Sequence, residues 1–169
     1  MFKFNQMPRK INKLSKTVRQ YNEIDISGDC MKYWRAIRYW ALDKYQITSP
    51  DLDMLFFLYS EGLFHKSKFH EFDTIFNWDR KRFKRLLEDG WIVKWRDSAP
   101  GQTALYTMSF KGKKAINTIY KVMNGEPMGE QTPMFRTKKT YSKGVYRNFI
   151  KKLNKEFRES KQRRGTESQ

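Results

Sequence analysis

Gly90 divides residues 77–96 into two stretches of different period, and that switch constrains the fold more than any other feature of the chain. Before it, Phe83, Leu86 and Leu87 fall in one narrow arc at helical spacing, and Phe76 extends the arc backwards. Asn77 suits an N-cap, Asp79 suits the electropositive first turn, and Gly90 suits the left-handed C′ position. After the glycine, Trp91, Val93 and Trp95 alternate with Ile92, Lys94 and Arg96, as in a strand. Asp97-Ser98-Ala99-Pro100-Gly101-Gln102 reads as a turn, and Thr103 to Met108 as the returning strand. A capped helix that stops on glycine and feeds a β-hairpin is thereby expected.

The helix of this unit is cationic on its outer side. Trp78, Lys81, Arg82 and Arg85 lie opposite the apolar arc, and Arg80 and Lys84 flank it. A solvated surface is the plain alternative for such a run. Five Lys/Arg within Arg80–Arg85, with acids only at the ends, favour a face meant for an anion.

Further helices are expected on either side. One covers about 30–46, with Trp34, Ile37, Ala41 and Tyr45 on one face and Tyr33 and Trp40 widening it. A helix this aromatic calls for a second covering element or a second subunit. Ser49-Pro50-Asp51 starts the next, with Ser49 as cap, Pro50 in the first turn, and Asp51 and Asp53 favouring the helix dipole. Leu52, Leu55, Phe56 and Tyr59 form its inner face, and Gly62 ends it. A short helix lies near 66–72, with Phe69 and Phe72 inward. Ser109 caps a helix over 110–123, with Ala115, Ile116, Ile119, Tyr120 and Met123 apolar. The pattern predicts a mainly α fold with a small β-hairpin wing, an α+β winged helix-turn-helix with basic terminal arms.

Charge is distributed unevenly. The chain of 169 residues carries a net +17. Residues 1–21 hold six Lys/Arg and no acid, whereas residues 22–133 balance to +2. Residues 134–164 hold 12 Lys/Arg and two Glu. The expected organisation is a basic arm over 1–22, a nearly neutral domain over 30–124, a linker over 125–140, a basic amphipathic helix over 141–160 and a disordered tail over 161–169. In the basic helix, Val145, Phe149, Leu153 and Phe157 repeat every four residues, with Ile150 alongside. The arm cations expected to meet a polyanion are Arg9, Lys10, Lys13, Lys16 and Arg19, then Arg136, Lys138, Lys139, Lys143, Arg147, Lys151, Lys152, Lys155 and Arg158. Solubility is the plainer role for such arms.

Residues 31–123 resemble the MarR family of winged-helix regulators. The resemblance rests on Arg85-Leu86-Leu87-Glu88-Asp89-Gly90-Trp91-Ile92, similar to the end of the family's recognition helix. It rests also on Tyr106-Thr107-Met108-Ser109-Phe110-Lys111-Gly112, similar to the second wing strand and following helix start, with Met108-Ser109 in place of Leu-Thr. The resemblance implies a symmetric homodimer built from terminal helices, with the helix at 77–90 in the major groove of double-stranded DNA. Carried over by position, Trp78, Lys81, Arg82 and Arg85 are base-contact candidates. Arg82 and Arg85 are the better readers, because a guanidinium can bond guanine twice. Lys81 and Lys84 are expected on phosphates. The chain departs from the family at the wing, where no Arg follows Asp97. Lys94 and Arg96 remain to meet backbone.

No catalytic constellation, phosphate-binding glycine loop or metal-ligand spacing is legible, so no enzyme activity, cofactor or metal is expected. Cys30 is the single cysteine. No apolar run approaches the roughly 20 residues of a membrane span, and the first residues lack a secretion signal's apolar core. Two readings follow. In one the chain is a dimeric, sequence-specific regulator of transcription, at work in the cytoplasm on the nucleoid. In the other it is a non-enzymatic structural or assembly protein of a virion or nucleoprotein machine. There the winged helix docks, and the arms hold nucleic acid or neighbouring subunits. RNA binding through the same helix and exposed aromatics is a third, weaker reading.

Overall fold

The computed structural model describes residues 30–75, 79–136 and 140–167. The N-terminal arm with Arg9, Lys10, Lys13, Lys16 and Arg19, the proposed cap Asn77, and Phe76, Trp78, Lys138 and Lys139 lie outside the described residues. The chain is mainly helical, with one small three-stranded antiparallel sheet. A 3-10 turn, Cys30–Tyr33, leads into α1 (Trp34–Tyr45). Then come α2 (Ser49–Glu61), β1 (Leu63–His65), α3 (Lys66–Ile75), α4 (Arg82–Glu88), β2 (Ile92–Arg96), β3 (Leu105–Met108), α5 (Phe110–Met123), α6 (Pro133–Arg136) and α7 (Tyr141–Glu167).

The glycine stop behaves as its sequence implies. Gly90 has φ +70°, Trp91 N–H donates to the Leu86 carbonyl at 2.8 Å, and Gly90 N–H donates to that of Leu87 at 3.1 Å. This pair of bonds is a Schellman motif. The chain then enters β2 with Ile92 fully buried against α2 and α5 in a shared core. The hairpin tip closes on Ala99 and Gln102, which exchange backbone bonds around Pro100 and Gly101 (φ +74°), as a type II turn requires.

Ser109 also performs its expected role. Its hydroxyl accepts from Gly112 N–H at 3.1 Å and donates to the Gly90 carbonyl at 2.7 Å. Gly112, unfavourable on helix propensity alone, is explained by crowding. A Cβ there would lie 2.6 Å from the Met108 side chain and 2.9 Å from the Trp91 carbonyl oxygen.

Four expectations need correction. The cap of α2 is Thr48, one residue before Ser49, and its side chain makes no capping bond. A third strand, β1, pairs antiparallel with β3, so the sheet order is β1-β3-β2 and not a simple hairpin. Three residues are too few to show a period.

The segment expected as a linker over 125–140 is, in its described part 125–136, a strap packed on α1. Met128, Thr132 and Met134 are buried. Trp40 Nε1–H donates to the Gly129 carbonyl at 2.9 Å, and Met134 N–H donates to Asp43 at 2.7 Å. The aromatic residues of α1, with Tyr33 just before it, are covered from several sides within one chain: Trp34 by Phe56 of α2, Tyr45 by Trp91, Trp40 by the strap, and Tyr33 and Tyr39 by α7.

Finally, α7 packs only on the C-terminal part of the stripe its four-residue repeat marks, through Ile150, Leu153 and Phe157, and it continues helical through Glu167. Ile150, Leu153 and Asn154 are buried, whereas Val145 and Phe149 are largely exposed. The deciding contacts are polar and aromatic. Tyr146 stacks on Tyr39 with centroids 3.8 Å apart, and its hydroxyl accepts from Arg35 at 3.1 Å. Asn154 accepts from Met128 N–H at 2.7 Å and donates to the Met128 carbonyl at 2.8 Å, so one amide completes the strap's backbone bonding. Among the described residues no helix is long and apolar enough to cross a membrane.

Candidate nucleic-acid interface

The cationic run 80–85 is where sequence and structure differ most. α4 begins at Arg82, later than the spacing predicts, and is seven residues long. Before it Asp79 organises a turn, accepting from Lys81 N–H on its carboxylate at 2.9 Å and from Arg82 N–H on its carbonyl at 3.0 Å.

Arg82 does not lie on an outer face. Its side chain is 3% exposed, its Nε donates to Asp51 at 3.0 Å, and its Nη1 bonds Asp73. Arg85 grips the same Asp51 carboxylate, Nη2 to Oδ1 at 2.7 Å and Nε to Oδ2 at 3.2 Å, and reaches Asp79 at 2.8 Å. Asp73 in turn accepts from Asp79 N–H at 3.3 Å. Three carboxylates from α2, α3 and the turn thus enclose two guanidinium groups of α4. The bonds to Asp51 and Asp79 push the Arg85 pKa up, and the Arg85 bond holds Asp79 below the usual carboxylate range.

The two arginines expected to read guanine are therefore committed to carboxylates. Asp51 and Asp79, read from the sequence as helix-dipole partners, are ion-pair partners instead. Asp73, in the last turn of α3, is fully buried in the network. The available signal was three Asp residues near helix ends, Asp51 and Asp79 near starts and Asp73 in the last turn of α3, for two well-placed arginines.

The cations that remain outward are Arg80, Lys81 and Lys84, all exposed. Lys84 faces Glu88 at 3.5 Å across solvent, a contact of little energetic weight. On β2, Lys94 pairs with Asp97 at 2.9 Å, which raises the lysine's pKa, and Arg96 is exposed.

The arm residues of α7 divide by depth. Lys143 and Arg147 are half-buried, and Arg147 donates to the Met134 carbonyl and lies over the Phe135 ring. Lys151, Lys152, Lys155 and Arg158 are exposed, as is Arg136 on α6. Lys155 approaches Glu159 and Arg158 approaches Glu130, both at 3.9 Å. Among the described residues no group of three His, Cys, Asp or Glu is arranged to hold a metal ion. Comparison with protein-family models, with curated proteins and with solved structures finds no match to this chain.

Proposed function

We propose that α2 to β3 form a winged helix and that the chain binds double-stranded DNA through the start of α4. The observation that carries this reading is the ion network beneath α4. It fixes a short helix rigidly on α2 and α3 while Arg80, Lys81 and Lys84 stay outward. A rigid helix edge bearing exposed cations is suited to phosphates.

The division of labour differs from the one the family resemblance implies. With Arg82 buried and Arg85 paired to Asp51 and Asp79, α4 positions more than it reads. Base selection falls to Lys81 and, outside the described residues, Trp78. The arms and the exposed cations of α7 add sequence-independent affinity. A homodimer belongs to the same proposal. Tyr141, Val145 and Phe149 form an exposed stripe on α7, at a spacing of four, that a second copy could cover.

Salt titration of duplex binding tests the reading. If each subunit neutralises about four to six phosphates, the slope of log affinity on log salt is about −4 to −5. An affinity insensitive to salt defeats it. Selection from random duplex DNA then separates two roles. An enriched palindrome supports a MarR-like transcription regulator. Absence of enrichment supports a structural role in a nucleoprotein assembly, which the carboxylate-paired arginines and the uncharged wing tip favour.

A further inference from the structure

In a regular strand Trp95 and Arg96 would point to opposite faces. β2 is not regular. Ile92, Val93 and Lys94 pair in register with Met108, Thr107 and Tyr106, but the next partner of β3, Leu105, pairs with Arg96. One residue is inserted, a β-bulge of the kind that re-aims side chains. Cross-strand partners share a face. Arg96 therefore joins the side of Leu105, Thr107 and Val93. On β1, Leu63 and His65 join it too, opposite Thr107 and Leu105.

This is the outward side of the sheet, since Phe64, Ile92 and Met108 on the other side are buried. Trp95 is 59% exposed, Leu63 47% and Val93 40%. The three strands contain Lys94, Arg96 and His65 and no carboxylate. Asp97, the only acid between Trp91 and Ser109, is held by Lys94. Arg96 makes no ion pair among the described residues. The face is thus apolar, aromatic and cationic at once.

We propose that this sheet face binds single-stranded nucleic acid, with a base stacked on Trp95 and a backbone phosphate on Arg96. Duplex DNA keeps its base faces stacked inside, so an exposed indole beside an uncompensated guanidinium suits an unpaired strand. The surface is distinct from the duplex contact at α4 and stands without it.

Fluorescence anisotropy on the full chain tests the assignment, with labelled oligothymidylate, oligouridylate and a mixed-sequence duplex as probes. Trp95→Ala should weaken single-strand binding by about five- to hundred-fold and leave duplex binding nearly unchanged. Trp95→Phe should keep most of the affinity, and Arg96→Glu should lose it as Trp95→Ala does. Thermal melts of the exposed-site variants establish that each is folded. Loss on one of the two single-strand probes identifies DNA or RNA as the ligand and supports the proposal. Equal loss on the duplex, or no loss on either single strand, overturns it.

Discussion

α4 and α7 are both basic helices, and they use their cations in opposite ways. In α4, Arg82 and Arg85 turn inward or sideways onto Asp51, Asp73 and Asp79, and the helix is fixed by its charge. In α7, the fixing is done by Ile150, Leu153, Asn154 and Tyr146, and Lys151, Lys152, Lys155 and Arg158 stay on the surface. A Lys/Arg count therefore measures surface charge in α7 and overstates it in α4. The difference follows from side-chain chemistry. A buried guanidinium needs carboxylates on facing elements, and α2 and α3 supply them.

The sharpest way to break this contrast is to remove one partner from the buried end of the network. Asp51→Ala leaves Arg82 and Arg85 under-compensated and should cost about 3–5 kcal/mol in urea unfolding, a large share of a domain's usual margin. A loss near zero would mean that α4 is held by its apolar face alone. Asn154→Ala is the matching test in α7. It strands the buried Met128 N–H and C=O and should cost about 2 kcal/mol.

Lys81→Ala with Lys84→Ala should leave stability within about 0.5 kcal/mol and lower the duplex-binding salt slope by roughly 2. An unchanged slope would take α4 out of the interface.

The smallest effect is acid-dependent. Asp79 has a depressed folded-state pKa, caused first by its bond from Arg85 and next by Lys81 N–H. Its contribution is present above the unfolded carboxylate value, about 3.9, and is lost as pH falls through the lower folded value. Asp79→Asn should therefore be less stable than the native chain at pH 7 and approach it near pH 3, which urea midpoints at the two values measure.

Local signals in the sequence carried much of the fold. Gly90, Ser109 and the Pro100-Gly101 turn each act through one or two backbone bonds to near neighbours, and a linear reading finds such bonds. What the sequence hid depends on distant partners. β1 exists because Leu63 to His65 lie against Leu105 to Thr107, some 40 residues on. The repeat of α7 marks Leu153 and Phe157 correctly, but the burial of Asn154 and the exposure of Val145 and Phe149 go with contacts to Tyr39 and Met128 that its own sequence does not signal. The candidate site was legible as a charged helix. It was not legible as a network, because Asp51 and Arg82 are 31 positions apart.

The strap and α7 also fix an order of events. α1 leaves the ribosome before its partners, and Tyr39 and Trp40 find Tyr146 and Gly129 only after roughly 100 further residues have been made. At about 5–20 residues per second that interval lasts roughly 5–20 s. During it part of an aromatic helix face stays uncovered, open to chaperones and to other nascent chains, until α7 closes over α1.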